Sequence, residues 1–185
     1  KPTQEGLYQH YKKIADHVSI PQILYNVPGR TSVDMEPKTV YRLSSHSNIV
    51  GIKEASGNKQ RSKELLSLCS NNMQIFTGDD KTSIGDLLDG FSGNISVTAN
   101  VVPKQMHMMC KYAMEGDLEK ASELNNQIDV LHDVLFCESN PIPVKWCLHK
   151  LGLIKQGIRL PLTWLDEKFE KKLEDSLIKS NIIKN

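Results

Sequence analysis

No apolar run in this sequence approaches the roughly 18 residues that cross a bilayer, which leaves no candidate for a membrane-spanning helix. Charge of one sign is missing too: 23 Lys and Arg stand against 22 Asp and Glu, a formal net charge of +1. Such a surface has no field to draw in nucleic acid or an anionic membrane, so a small-molecule partner is expected. The four cysteines, Cys69, Cys110, Cys137 and Cys147, form no CxxC pair, and the six histidines never fall in an HExxH spacing. Those absences argue against a metal centre and for reduced, structural thiols. No GxGxxG or GxxxxGK[ST] follows a strand-like run, and the nearest glycine turn, TGDDKTSIGD, has the wrong spacing for either, which removes the usual phosphate cradles. The opening KPTQEGLYQHYKK lacks both an initiating Met and a signal peptide's apolar core, so the chain is expected to be a piece of a longer cytosolic protein.

What is present reads as an ordinary globular composition, 39% hydrophobic and 24% charged over 185 residues, enough for one domain or one and a half. Short runs rich in β-branched residues predict strands over 22–28, 48–55, 73–80 and 93–101. Their nearly continuous apolar character is that of strands covered on both faces. Between them lie amphipathic segments, one through Leu7, Tyr8, Tyr11, Ile14, Ala15 and Val18, another through Leu65, Leu66 and Cys69. Helix alternating with strand predicts a parallel α/β architecture. Without a phosphate loop, half of an eight-stranded (β/α)8 barrel is preferred over an open doubly wound sheet, and its unpaired edges imply that a first half lies outside the chain.

Beyond residue 103 the pattern predicts helix to the end. Met106, Met109, Cys110 and Ala113 begin it, and Met106, Met109 and Met114 read as gap-filling core more readily than as an adaptable binding surface. Gly116 and Asp117 mark a stop and a new N-cap, followed by Leu118, Ala121, Leu124, Ile128, Leu131 and Leu135. Thr163 and Asp166 predict a capping box for a last helix carrying Leu165, Phe169, Leu173 and Leu177. The expected domains are 1–116, the barrel half, and 117–185, a helical domain.

Lys53 is the sharpest anomaly, because Ile49, Val50, Ile52 and Ala55 around it announce a buried strand and lysine is almost never buried without a partner or a purpose. One reading is a strand-end lysine that snorkels to solvent or pairs with Glu54. The other is a nucleophile: burial disfavours the ammonium, lowers the amine's pKa and frees a lone pair for attack on a keto acid. Tyr25 closes an apolar strand and is either a plain rim residue or a phenol that relays protons. Arg30, in the turn after Pro28 and Gly29, is either a solvated charge or a bidentate clamp for a substrate carboxylate.

The segments YNVPGRT at 25–31, GIKEASGN at 51–58, TGDD at 77–80, SVTANV at 96–101 and NPIPVKW at 140–146 together resemble the dihydrodipicolinate synthase family, class I aldolases related to N-acetylneuraminate lyase. The likeness runs through essentially the whole chain in the expected order. It implies a (β/α)8 barrel followed by a helical C-terminal domain, usually in a homotetramer. It also implies a cofactor-free, cytoplasmic lyase that condenses pyruvate with aspartate 4-semialdehyde in lysine biosynthesis. By this resemblance Lys53 matches the Schiff-base lysine, Tyr25 the proton-shuttling tyrosine, and Arg30 the arginine that favours the semialdehyde's carboxylate. Gly78 and Ile95 match positions lining the pyruvate pocket, while Asn140, Pro141 and Pro143 match structural positions. The family's relay threonine, a tyrosine from a neighbouring subunit, the pyruvate-carboxylate turn and a lysine-feedback site would all precede Lys1. A sibling pyruvate aldolase would share the Tyr25 and Lys53 segments without an arginine at position 30. Two readings from other classes are a non-catalytic fragment serving only assembly, and a sugar-phosphate barrel enzyme with phosphate near Gly78 and Gly93.

Overall fold

The computed structural model describes residues 1–184. Two compact units divide the chain, Lys1–Ile95 and the residues from Ser96 onward. In the first, helix α1 (Gln4–His17) starts at Thr3, whose side chain accepts from the Gly6 amide, and leads into strand β1 (Gln22–Asn26). A short turn of helix, α2 (Pro28–Thr31), and α3 (Pro37–Leu43) each open on a proline, where the missing N–H costs no hydrogen bond. Strand β2 (Ile49–Glu54), α4 (Lys59–Cys69), β3 (Gln74–Thr77), α5 (Ser83–Asp89) and β4 (Gly93–Asn94) follow.

The four strands form one parallel sheet in the order β1-β2-β3-β4, as the alternation of strand and helix predicts. Leu24, Ile49, Ile52, Leu65, Cys69 and Ile75 are buried in this unit's core. On the α1 face, Leu7 and Ala15 are buried, whereas Ile14 and Val18 remain exposed.

The second unit holds α6 (Pro103–Met114), α7 (Leu118–Val134), α8 (Ile142–Lys150) and α9 (Glu167–Lys179). Gly116 takes a left-handed conformation, φ +80, and the Asp117 side chain accepts from the Lys120 amide, the stop and N-cap expected there. Ala121, Ile128, Leu131, Leu173 and Leu177 are buried with Met106 and Met109, but Met114 is exposed, so two of the three methionines fill core. Cys69, Cys137 and Cys147 are free thiols. Burial pushes the Cys69 thiol up to about 11 and the Cys147 thiol to about 12, which makes both poor nucleophiles.

Three expectations need correction. The strand expected over 93–101 stops after Asn94, and Thr98–Asn100 form a turn of 3-10 helix. The Ser96 hydroxyl accepts from the Ala99 amide at 2.8 Å, a local bond that competes with an extended ladder. The last helix is capped by Asp166, not Thr163, because the Asp166 carboxylate reaches the Lys168 amide at 3.0 Å. Helix is also interrupted over 151–166, where Gly152 adopts φ +71. Among the described residues no helix is long and apolar enough to cross a membrane.

Ile52 is fully enclosed in β2. Ile52→Ala is therefore expected to cost about 2–5 kcal/mol, read as a lowered urea midpoint of unfolding.

Candidate active site

Successive residues of a strand face opposite sides of the sheet, and the register places two rows of side chains across all four strands. Tyr25, Lys53, Phe76 and Gly93 pair in one row, and Asn26, Glu54, Thr77 and Asn94 in the next. Lys53 and Glu54 therefore point to opposite faces, and the supposed pairing between them does not occur.

On its own face the Lys53 ammonium nitrogen lies 4.4 Å from the centre of the Tyr25 ring. The ring attracts a cation while shielding the amine from water. Gly78 makes room for this arrangement. A Cβ there would fall 2.5 Å from Lys53 Cε and 2.8 Å from the Ala55 Cβ, so any side chain at position 78 would evict the lysine from its channel. The Gly78 amide donates to the Glu54 carbonyl at 2.7 Å, which fixes that backbone against β2.

Desolvation is the largest influence on Lys53 and lowers its pKa below the ordinary 10.5; the Arg30 guanidinium pushes the same way, and the Asp80 carboxylate opposes both. The net direction favours the neutral amine, the form that attacks a carbonyl carbon. Asp80 is buried and accepts from Asn94 Nδ2 at 3.0 Å. Arg30 is exposed on α2.

Of the residues expected from sequence, Lys53, Tyr25 and Gly78 are thus in direct apposition, and Arg30 acts on Lys53 through its charge. Ile95 follows β4, is 40% exposed, and donates its amide to the Thr77 carbonyl at 2.9 Å, beside Gly78. Tyr25 is itself 45% exposed, so the lysine face is open to a small molecule.

On the opposite face lies a polar cluster that sequence reading did not find. Arg61, in the first turn of α4, donates from Nε to Glu54 Oε2 at 2.6 Å, and the two side chains are only 8% and 2% exposed. Arg61 also contacts Asp34 at 3.1 Å and donates to the Met35 carbonyl. Asn26 Nδ2 donates to Glu54 and to Asp34, and its Oδ1 accepts from the Met35 amide. The available signals were Asn26 inside an apolar run and Glu54 directly after Lys53. Asp80 sat within the quoted TGDD without a role.

The dihydrodipicolinate synthetase family model matches residues 1–180. The 4-hydroxy-tetrahydrodipicolinate synthase of Pseudomonas aeruginosa is 53% identical over 183 residues, 99% of this chain and 63% of that protein. A crystal structure of the chloride-inhibited dihydrodipicolinate synthase from Acinetobacter baumannii, complexed with pyruvate, superposes with a TM-score of 0.97 at 54% identity, covering 99% of this chain and 63% of its own. A structure described as the first monomeric dihydrodipicolinate synthase variant gives 0.95 at 40% identity, covering 99% and 62%. The chain thus spans about 63% of the length of the curated relatives it matches.

The electrostatics can be tested by labelling the Lys53 amine with acetic anhydride across pH and reading the peptide by mass. Asp80→Asn removes the anion that favours the ammonium and should move the labelling midpoint of Lys53 down. Arg30→Ala removes a repelling cation and should move it up. In Gly78→Ala the displaced lysine should return toward the labelling midpoint of an ordinary exposed amine.

Proposed function

Since the chain belongs to the dihydrodipicolinate synthetase family, we propose that Lys53 forms a Schiff base with pyruvate. The whole protein then condenses that adduct with L-aspartate 4-semialdehyde to 4-hydroxy-tetrahydrodipicolinate, a step of lysine biosynthesis through diaminopimelate. The observation that carries this reading is the desolvated Lys53 amine against the Tyr25 ring, in the space left by Gly78.

The chemistry follows from the amine's state. The neutral Lys53 nitrogen attacks the keto carbon of pyruvate, and the carbonyl oxygen takes up a proton to give a carbinolamine. Loss of water with formation of the carbon–nitrogen double bond gives the imine. Its positive nitrogen draws electrons from the neighbouring methyl group, which releases a proton to form the enamine. The enamine carbon then attacks the aldehyde carbon of the second substrate, whose carbonyl π bond breaks as its oxygen takes up a proton and the imine re-forms; attack of that substrate's amino group on the imine carbon closes the ring and releases the Lys53 amine.

Tyr25 is assigned the relay of protons to and from the departing oxygen, which its phenol can both donate and accept. Arg30 is assigned the carboxylate of the semialdehyde, since a guanidinium fork matches a carboxylate in two parallel bonds. Gly78 and Ile95 shape the pyruvate pocket. Arginine at position 30 favours the synthase over a sibling pyruvate lyase such as N-acetylneuraminate lyase.

In this reading the four-stranded sheet is the second half of a (β/α)8 barrel. Residues 1–116 belong to the barrel and 117–185 to a helical C-terminal domain. The proposed assembly is a homotetramer working in the cytoplasm. The open inner face, with Ile23 and Tyr25 exposed at the sheet edge, is consistent with a barrel completed by further strands.

Borohydride reduction in the presence of labelled pyruvate should attach label to the Lys53 peptide, and Lys53→Ala should abolish it. Tyr25→Phe keeps the ring but loses the hydroxyl, and is expected to slow adduct formation by about 10²-fold or more. Absence of label on Lys53 in the whole protein would sink the imine mechanism.

A further inference from the structure

Tyr25 and Lys53 each have an immediate chain neighbour locked into the polar cluster on the far face of the sheet. Asn26 follows Tyr25 in β1, and Glu54 follows Lys53 in β2. Asn26 Nδ2 reaches Glu54 Oε2 at 3.0 Å, and Glu54 Oε1 accepts from the Ser56 amide at 2.8 Å. Arg61 joins Glu54 to Asp34 and the Met35 carbonyl. The segment carrying Asp34 and Met35 leads directly from α2, where Arg30 sits.

We propose that Asn26, Glu54 and Arg61, with Asp34, form a positioning clamp that holds Tyr25, Lys53 and the Arg30 turn in catalytic register from the side of the sheet that substrate never touches. The part of this inference that concerns catalysis rests on the imine reading.

Geometry supports a positioning role over simple cohesion. Glu54 cannot move along or away from β1 without breaking bonds to Asn26, Ser56 and Arg61, and because Lys53 shares its backbone, a shift of the strand at Glu54 shifts the base of the lysine stem as well. A guanidinium suits this task because its rigid fork bonds a carboxylate, a second carboxylate and a carbonyl in fixed directions. A buried ion pair by itself contributes little net stability relative to matched uncharged residues, so cohesion alone gives no reason to keep one here.

The test separates position from stability. Arg61→Met alone leaves Glu54 buried and unpaired and should melt at a lower temperature. The double variant Glu54→Gln with Arg61→Met removes both charges and should recover most of the thermal midpoint. Each protein is labelled with acetic anhydride across pH and trapped with pyruvate and borohydride. Asp80 and Arg30, the charged groups that act on Lys53, are unaltered throughout.

If the clamp positions the site, the double variant melts near the unaltered protein, yet its Lys53 labelling midpoint rises toward the ordinary 10.5 and pyruvate trapping slows by about tenfold or more. A double variant that recovers its melting temperature together with an unchanged labelling profile and trapping rate overturns the proposal. Should the double variant fail to fold, Arg61→Lys decides: it keeps the cation and loses the fork. A raised labelling midpoint there supports the clamp, and an unchanged one refutes it. The trapping is done on the whole protein that carries this chain: if the unaltered whole protein traps no pyruvate, the imine reading fails by itself, and the labelling profiles still decide for or against the clamp.

Discussion

Two opposite charges in succession on a buried strand set the problem that the rest of the first unit solves. Lys53 and Glu54 cannot neutralise each other, because the pleat sends consecutive side chains to opposite faces. Each needs its own answer. Glu54 meets the Arg61 fork and the amide of Asn26, and is fully paired away from water. Lys53 meets an aromatic ring and an opposing carboxylate at longer range, and has no close counter-ion among the described residues. The asymmetry leaves one side of the strand fully paired and puts a desolvated amine on the other.

Glycine completes the solution by subtraction. At position 78 the absence of a Cβ determines where the lysine stem can lie, since the alternative is a 2.5 Å clash with Cε. The same row of the sheet carries Gly93, against whose backbone the Phe76 ring packs. Bulk from Tyr25 and Phe76 and emptiness at Gly78 leave the lysine desolvated, which is the largest influence favouring loss of its proton, and the charges of Asp80 and Arg30 act on it in opposite directions.

Much of this was legible from residues alone. Lys53 declared itself because a cation in an apolar run is costly, and Tyr25 because it ended such a run before a proline turn. The parallel order of the strands followed from their alternation with amphipathic helices. Arg61 was hidden, since an arginine in NKQRSKE reads as the solvated face of a helix until the strand beneath it is placed. The fate of 95–101 was equally hidden, because SVTANV has the β-branched content of a strand, and local bonds from Ala99 to Ser96, Asn100 to Val97 and Val101 to Thr98 turn it. Thr163 followed by Asp166 has the spacing of one capping box, and that spacing does not reveal that the helix begins only after Asp166.

The place of Arg61 on its helix carries one more consequence. It occupies the third residue after the Asn58 cap, where the helix dipole disfavours a cation and where helices ordinarily fray. Here the first turn is bolted to the sheet by a carboxylate it did not supply. Unwinding of α4 from that end must strip Glu54 of its partner in the same event, so the helix start and the strand end open together or not at all. The residue that follows the lysine in the strand is thus tied to the first turn of the covering helix, so the cap of α4 and the end of β2 share one fastening.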